Sequence, residues 1–167
     1  MTRIKEGRHM TEEHAGAWTR TSLVIRARPG ELYAAFLDPT ALVDWLPPGE
    51  ITGEIHEFDA RVGGGYRMSL FYPPGERTFR GKTSDREDRV NVRFVELAPP
   101  RRIVEAVSFV TTDPAFLGEM TMTATFAEVS GGTEVTLVCK NLPPGLRAAD
   151  NEAGARLSLE QLARRFE

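Results

Sequence analysis

The chain of 167 residues contains 41% hydrophobic and 27% charged residues, and it carries a formal net charge of -3 with a single cysteine, Cys139. A length of this order suits one domain, which buries roughly 70% of its unfolded surface. The slight negative charge and the lack of a basic stripe argue against binding of nucleic acid. One cysteine excludes an internal disulfide, and no apolar run is long enough for stable membrane insertion.

The start of the chain is predicted to be a leader outside the fold. Residues 1–17 lack the apolar centre of a secretion signal, and His9-Met10 has the look of an expression junction. We therefore expect one folded domain over residues 18–167. A cytoplasmic location is the simplest expectation, because a lone thiol stays reduced there.

After the leader, a strand pattern is followed by two short helical patterns. Residues 18–27 (WTRTSLVIRA) have the β-branched content of a strand, and Pro29 suits the first turn of a helix. Pro39 ends that helix and precedes a second one, which stops at an apolar corner formed by Trp45 and residues 46–49. Neither helix is long enough to be stable alone, so both are expected to brace the rest of the fold.

Strand patterns separated by turn signals dominate the middle of the chain. Short links join neighbouring strands antiparallel, because a parallel crossover needs about a dozen residues or more. One link, the polar stretch from Pro73 to Arg89 with Phe79 inside it, is too long for a hairpin turn and predicts a mobile loop. With the first strand, the segments predict a seven-stranded antiparallel meander. The other six predicted strands are Ile51 to Phe58, Gly65 to Tyr72, Val90 to Leu97, Ile103 to Val110, Gly118 to Val129 and Glu134 to Asn141.

Side chains alternate most clearly in the last two strands. From position 119 to 126, one face carries methionine, alanine and phenylalanine, and the other carries threonine. The partner strand has Val135, Leu137 and Cys139 on one side. We therefore expect Cys139 to lie in the core, where an apolar environment makes a thiol unreactive.

The final segment, residues 146–166, contains no proline and predicts a long helix. Leu159, Leu162 and Phe166 recur at helical spacing, and the opposite face is charged. The dry side of the sheet is the only large apolar surface available to cover this leucine ridge. The elements therefore predict an α+β fold in which the terminal helix lies in the sheet.

Several of these segments match a known superfamily when they are taken in order. The stretches VIRARPGELYAAFLDPTALVDWLPP, EFDARVGGGYRMSL and FVELAPPRRIV, followed by a terminal helix with Gly154 in its opening turns, resemble the START-like (SRPBCC) helix-grip superfamily. Within it, the chain is similar to the branch named after the C-terminal domain of the activator of the heat-shock-protein-90 ATPase. The D-x-R-x-G-G element from Asp59 to Gly64 is the most specific match, and the resemblance covers about residues 18–166.

The resemblance implies a strongly curved antiparallel sheet wrapped round the long C-terminal helix. It also implies a cavity between helix and sheet, which binds lipids, polyketides, sterols or other apolar molecules in various relatives. One departure bears on the size of that cavity, because many relatives carry an aromatic residue after the helix glycine and this chain has Ala155. The smaller side chain either opens space or is compensated by bulk from the facing strands, such as Met120, Met122 and Tyr66.

The candidate ligand-binding residues are side chains expected to converge between sheet and helix. Core packing and a ligand cavity both explain them, and flexible methionines beside rigid aromatics are typical of a cavity. Three polar residues, Arg67, Glu105 and His56, are candidate anchors, since an inward charge needs a partner or a ligand. The predicted cavity residues are Trp45, Tyr66, Met68, Phe109, Met120, Met122, Ala155, Leu159 and Leu162.

Patterns typical of catalysis or metal binding are sparse. His56 is the single histidine within the predicted domain, and strand alternation predicts that it shares a face with Glu54 and Phe58, where a solvated surface role is the simpler interpretation. Gly63-Gly64-Gly65 joins two strands with no helix after it, which favours a turn over a phosphate cradle. No metal-ligand spacing occurs, so we expect no metal and no cofactor.

Three functions fit these expectations. The first is binding of a small hydrophobic or amphipathic molecule, such as a lipid, sterol or polyketide-like compound, in the helix-grip cavity. The second is an enzyme of the cyclase or dehydratase kind known among helix-grip relatives, with acid–base candidates Tyr66, Arg67, Glu105 and His56. The third, suggested by the name of the related branch, is a stress-related co-chaperone. Exposed sheet edges would also support a homodimer.

Overall fold

Seven strands and three helices make up the part of the chain that the computed structural model describes, residues 16–74 and 86–167. The α+β class, the two short helices after the first strand and the C-terminal helix are confirmed. In chain order the elements are β1 (Thr19–Ile25), α1 (Pro29–Phe36), α2 (Pro39–Trp45), β2 (Thr52–Asp59), β3 (Gly65–Phe71), β4 (Glu87–Ala98), β5 (Arg102–Phe109), β6 (Glu119–Val129), β7 (Gly132–Lys140) and α3 (Ala148–Arg164), with a 3-10 turn at Pro114–Phe116.

The strands form one curved antiparallel sheet in the order β1-β7-β6-β5-β4-β3-β2. The predicted meander is confirmed for β2 to β7, each of which pairs with the next strand in the chain. β1 pairs with β7, so β1 and β2 lie at opposite edges of the sheet. The chain passes from one edge to the other through α1 and α2, which puts both helices over the inner face.

The two short helices begin where the sequence provides a proline and a carboxylate. Pro29 opens α1, and the carboxylate of Glu31 accepts a hydrogen bond from the Arg28 N–H at 3.0 Å. Pro39 opens α2, and the Asp38 side chain accepts from the N–H of residue 40 at 3.0 Å. These bonds satisfy N–H groups that have no partner within a helix, so each helix has a defined start despite its length.

The fourth strand begins three residues earlier than the sequence predicts. The predicted loop extends to Arg89, yet residues 87–89 pair with β3. The buried Asp88 accepts a hydrogen bond from the Tyr72 hydroxyl at 2.9 Å, and other polar side chains of this stretch also find partners across the ladder. Polar residues therefore do not prevent strand pairing here. Phe79 lies outside the described residues.

A bulge in β2 changes which side chains face the core. The register with β3 shifts between Ile55 and Glu57, and the extra residue lets Ile55 and Phe58 both pack against the core although they are three positions apart. His56 therefore does not share a face with Phe58, and that prediction is wrong. Its Nε2 lies 2.9 Å from the Ser69 hydroxyl on the outer face.

The terminal helix is fastened to the apolar corner by polar side chains. Gln161 donates from Nε2 to the carbonyl oxygens of Trp45 and Pro47, at 2.7 and 2.8 Å, and its Oε1 accepts from the Gly49 N–H at 2.9 Å. The Ser158 hydroxyl donates to the carbonyl oxygen of Leu46 at 2.6 Å. These bonds hold the C-terminal half of α3 over the inner face of the sheet, with its leucine ridge sealed beneath it.

Candidate functional site

Two apolar clusters can be distinguished on the inner face of the sheet within the described residues. The large cluster spans the sheet and all three helices, and the small cluster consists of Met120, Cys139 and Leu142. Val107, Phe109 and Met122 pack against both clusters and are only half-buried, although they lie on the central strands β5 and β6. Inner-face side chains at the centre of a sheet are sealed when a helix closes over them. The described residues therefore leave the inner face incompletely covered between the clusters, and we call this region the hollow.

One row of paired residues crosses this hollow from strand to strand. Glu105 on β5 pairs with Phe94 on β4 and with Met122 on β6. Met122 pairs with Cys139 on β7, which in turn pairs with Thr19 on β1. Residues paired across neighbouring strands point to the same face. A carboxyl, a thiol and a hydroxyl group thus face one apolar interior.

Glu105 is the most unusual of these groups. It is 3% exposed, and its carboxyl has no hydrogen-bond partner among residues 16–74 and 86–167. Within those ranges, every side-chain nitrogen or oxygen that is sealed from solvent has a partner, so the Glu105 oxygens must border space that water can enter. Burial raises the pKa of this carboxyl to about 8. At pH 7 the neutral form dominates, and Glu105 offers an O–H donor to the hollow.

Tyr66 is a second hydrogen-bond donor on the same face. Its ring stacks on Phe58 with centroids 5.3 Å apart and tilts against Phe94 at 6.0 Å. Its hydroxyl likewise has no partner in the described part of the chain. Burial raises the pKa of Tyr66 well above its usual value, and the charge of Glu105 raises it further. The two groups are therefore close enough to interact electrostatically, and both are neutral at pH 7.

The other end of the row meets the first turns of α3. The Thr19 hydroxyl donates to Asn151 Oδ1 at 2.6 Å, which ties the helix to the edge strand. Burial raises the pKa of the Cys139 thiol, while hydrogen bonding with Thr19 and Asn151 opposes the rise. Cys139 is buried, as alternation predicts. Ala155 lies one turn after Asn151 on the same helix face and is half-buried, so its small side chain borders the hollow.

The predicted cavity residues divide between the hollow and the packed core. Trp45 belongs to the core, since its indole N–H donates to the Ala35 carbonyl at 3.0 Å and its ring lies 4.7 Å from that of Phe36. Met68, Leu159 and Leu162 are fully sealed as well. Phe109, Met122 and Ala155 are half-buried and border the hollow, and Met120 belongs to the small cluster beside it. Tyr66 is buried in the large cluster together with the core residues Trp45, Met68, Leu159 and Leu162.

Two of the three candidate polar anchors lie on the outer face. Arg67 is exposed and forms an ion pair with Glu57, because its neighbours in sequence on both sides point inward. His56 lies on the same outer face as Glu54, and its side chain is exposed. Neither can anchor a ligand inside the sheet, and those two predictions are corrected here. Of the three, Glu105 alone faces the interior.

Sequence reasoning missed Thr19 and Asn151. A signal was present for Asn151, since it precedes Ala155 by one helical turn on the face that the leucine ridge predicts to be covered. For Thr19, β-branched threonine is ordinary in a strand and gives no sign of its direction. The contact joins residues 132 positions apart, so no local sequence pattern predicts it.

A depression of about 470 Å³ lies at the end of β2, the start of β3 and the middle of β4, and Tyr66 contributes to its lining. It is shallow and open, and its arginines are already paired, Arg67 with Glu57 and Arg93 with Glu119 at 3.4 Å. We assign it no ligand, because exposed ion pairs of this kind hold no unsatisfied charge. Its lining comprises residues 57–59, 63–67 and 91–93.

Two further features are absent from residues 16–74 and 86–167. None of the helices there combines the length and the apolar character needed to cross a membrane. No three histidine, cysteine, aspartate or glutamate side chains in those ranges form a group suited to a metal ion.

Comparison with known proteins agrees with this architecture. Residues 26–167 match the family model described as activator of Hsp90 ATPase homolog 1-like protein. A solved protein from Chromobacterium violaceum is 31% identical, with a TM-score of 0.77 over 90% of this chain and 97% of that chain. Two more distant structures share the fold, from Mycobacterium smegmatis (19% identity, TM-score 0.70, 89% of each chain) and Rhodobacter sphaeroides (20% identity, TM-score 0.69, 88% of this chain and 89% of that one). No protein of curated function is detectably similar in sequence. The chain belongs to the family of activator of Hsp90 ATPase homolog 1-like proteins.

Proposed function

We propose that the protein binds a small hydrophobic or amphipathic molecule in the hollow between the sheet and α3. The observation that carries this proposal is the half-burial of Val107, Phe109 and Met122 at the centre of the inner face. Burying a ligand against these side chains supplies affinity at about 25 cal/mol per Å² of apolar surface. Glu105 and Tyr66 would orient its polar end. Proteins of this fold commonly bind hydrophobic ligands, which supports the proposal.

The proposal is tested by titration with Nile red, a neutral dye whose emission shifts in apolar surroundings. We expect saturable binding to one site. Filling the hollow with Ala155→Trp should weaken binding about tenfold or more, because the new ring occupies the ligand's volume. The matched control is Leu157→Trp on the same helix, where the side chain is 44% exposed and points away from the sheet.

The two tryptophan variants make the test decisive. Both add the same side chain to α3, so a general effect of the substitution on the helix appears in both. Binding by Leu157→Trp should equal that of the wild type. Equal binding by wild type and Ala155→Trp, or a wild type that does not saturate, would contradict the proposal.

An acid–base enzyme of the cyclase or dehydratase kind is the second candidate, and the position of Glu105 favours it. A carboxyl with a pKa of about 8 in an apolar site can exchange a proton with a bound substrate near neutral pH. Such chemistry begins at the carbon next to a carbonyl. The test is deuterium exchange into the methyl group of 2-acetylnaphthalene in D₂O, followed by NMR. Acceleration by the wild type that is lost in Glu105→Gln, at unchanged binding, supports the enzyme; no acceleration rejects it.

A further inference from the structure

The polar groups of the hollow restrict the chemistry of its ligand. We propose that the ligand is an apolar molecule with a neutral hydrogen-bond acceptor, a carbonyl oxygen, which binds between the Glu105 carboxyl and the Tyr66 hydroxyl. This inference rests on the proposed binding function and narrows it to a class of compounds.

The first argument is the absence of positive charge around Glu105 in the described residues. Its partners across the sheet are Phe94 and Met122, and the titratable groups that its charge reaches are Tyr66 and Cys139. Burial is the cause of its raised pKa, and no cation opposes that rise. From α3 the facing side chains are those of an asparagine and an alanine. An anionic ligand such as a fatty acid would find no counter-ion here and would be repelled by ionised Glu105.

The second argument is the placement of the two donors. Tyr66 pairs with Val92 and Glu105 pairs with Phe94, both on the intervening strand β4. With strands about 4.8 Å apart and a rise of about 3.3 Å per residue, the two Cα atoms are separated by roughly 12 Å. Phe94 lies between the two donors, since it pairs with Glu105 and its ring centroid lies 6.0 Å from that of Tyr66. The charge of Glu105 acts on Tyr66, so the proposal places the ligand oxygen between these two neighbouring groups.

The third argument compares a carbonyl with an ammonium group. A carbonyl oxygen has two lone pairs and accepts from both donors while Glu105 remains neutral. An ammonium group needs ionised Glu105, which is the minor form at pH 7 by a factor of about ten for a pKa of about 8. It also gives the Tyr66 hydroxyl nothing to donate to. The donors that the protein presents at pH 7 therefore match an acceptor.

The test uses four probes that share one naphthalene body and differ in the attached group. They are 2-acetylnaphthalene, 2-ethylnaphthalene, 2-naphthoate and 2-naphthylmethylammonium, and binding is measured by calorimetry at pH 6.5. We expect the ketone to bind about tenfold more tightly than the ethyl compound, since it gains two hydrogen bonds from donors that are almost fully buried. The naphthoate and the ammonium probe should bind more weakly than the ketone.

Variants and pH identify the donors. Glu105→Met and Tyr66→Phe should each lower the ketone-to-ethyl ratio about threefold, because each removes one donor. Glu105→Gln keeps an N–H donor and should retain the preference. At pH 9.5 the wild type should lose several-fold of its preference as Glu105 ionises, whereas Glu105→Gln should not. The comparison of pH 6.5 with pH 9.5 uses the wild type, so it can refute the inference even if a variant fails to fold.

The outcomes separate this inference from the binding function beneath it. Equal affinity for the ketone and ethyl probes, or tightest binding of the ammonium probe, overturns the inference and leaves ligand binding in place. Binding of Nile red with no binding of any naphthalene probe overturns it too. Failure of Nile red together with all four probes rejects the binding function itself.

Discussion

The sealed and the open parts of the inner face differ in what covers them. Phe126 in the large cluster is 3% exposed, and its ring meets those of Tyr33 and Phe36 on α1 at 5.8 and 5.1 Å. Phe109, also inward-facing, is half-buried and meets Phe116 of the 3-10 turn at 6.4 Å. Helix α1 contacts the first ring, and the 3-10 turn contacts the second. The helices, not the sheet, therefore decide where the interior is closed.

The two halves of α3 show the same contrast. The C-terminal half is bonded to the apolar corner through Gln161 and Ser158, and its inward-facing Leu159 and Leu162 are sealed. The N-terminal half is tied to β1 through Asn151 and carries the small Ala155 toward the sheet. A helix held firmly at one end and lined with a small residue at the other leaves space under its first turns. The hollow follows from this unequal coverage.

The largest expected effect comes from replacing phenylalanine by alanine in the sealed region and in the open region of the inner face. Phe126→Ala should lower the free energy of unfolding by about 3–5 kcal/mol, because the sealed site is left with a cavity. Phe109→Ala should cost about 1–2 kcal/mol, because solvent already reaches that ring. Urea denaturation of both variants measures the difference. Equal losses would show that the region of Phe109 is as closed as the large cluster.

The pH dependence of stability should report the buried carboxyl of Glu105. Its pKa is raised from 4.5 to about 8 in the folded protein. The folded state thus holds a proton that the unfolded state releases. The contribution of Glu105 to the free energy of unfolding is therefore fully present below pH 4.5, and it is lost as the pH rises toward 8. Between pH 5 and pH 8, the wild type should lose about 3 kcal/mol relative to Glu105→Gln.

Urea denaturation at pH 5, 6, 7, 8 and 9 measures this dependence in both proteins. The Glu105→Gln variant is the matched control, since it has the same shape and lacks the titrating group. Other groups titrate equally in the two proteins and cancel in the difference. Parallel curves for the two proteins would mean that Glu105 is solvated and does not face an apolar interior.

Replacing alanine by leucine in the sealed region and beside the hollow should also distinguish these two regions of the inner face. Ala124→Leu adds bulk where the side chain is fully sealed, and we expect a loss of about 1–3 kcal/mol from overpacking. Ala155→Leu adds the same atoms beside the hollow and should change stability by less than about 1 kcal/mol, while it weakens Nile red binding. Thermal melts and dye titrations of both variants provide the check. A large loss in Ala155→Leu would mean that no free space borders the helix.

The smallest expected effect concerns the fastenings of α3. Gln161→Ala removes three hydrogen bonds to the corner and should cost about 1–2 kcal/mol, since buried carbonyl groups lose their donor. Asn151→Ala removes one bond, and water in the hollow can replace it, so the cost should stay below about 1 kcal/mol. Hydrogen exchange of α3 amides would locate the loosening at the matching end. The reverse order would contradict the assignment of the open end.

Local patterns predicted most of the fold. Prolines and turn residues marked the starts and ends of the helices and strands to within about three residues, because these signals act through neighbouring backbone angles. Alternation placed Cys139 in the core correctly, since the period of two is unbroken in β7. It failed after His56, at Phe58, because one inserted residue in β2 reverses every later direction.

The direction of Glu105 could not be predicted from its own strand. Residues 103–106 are all buried, on both faces of the sheet, so β5 has no alternation to read. The inner face is identified by partners on other strands, Phe94 and Met122, which are distant in sequence. The candidate site therefore depends on the register of the sheet, and the sequence offered Glu105 as one of three candidates without separating them.

By itself the sequence determined the kind and order of the elements, because turn chemistry and side-chain periodicity operate over a few neighbouring residues. The tertiary structure decided where the interior is closed and where it is open, and which polar groups face it. Those properties arise where α1, α2 and α3 meet the sheet, between residues more than a hundred positions apart such as Thr19 and Asn151. Burial of Glu105, and with it the raised pKa that makes this carboxyl a donor, exists only after that assembly.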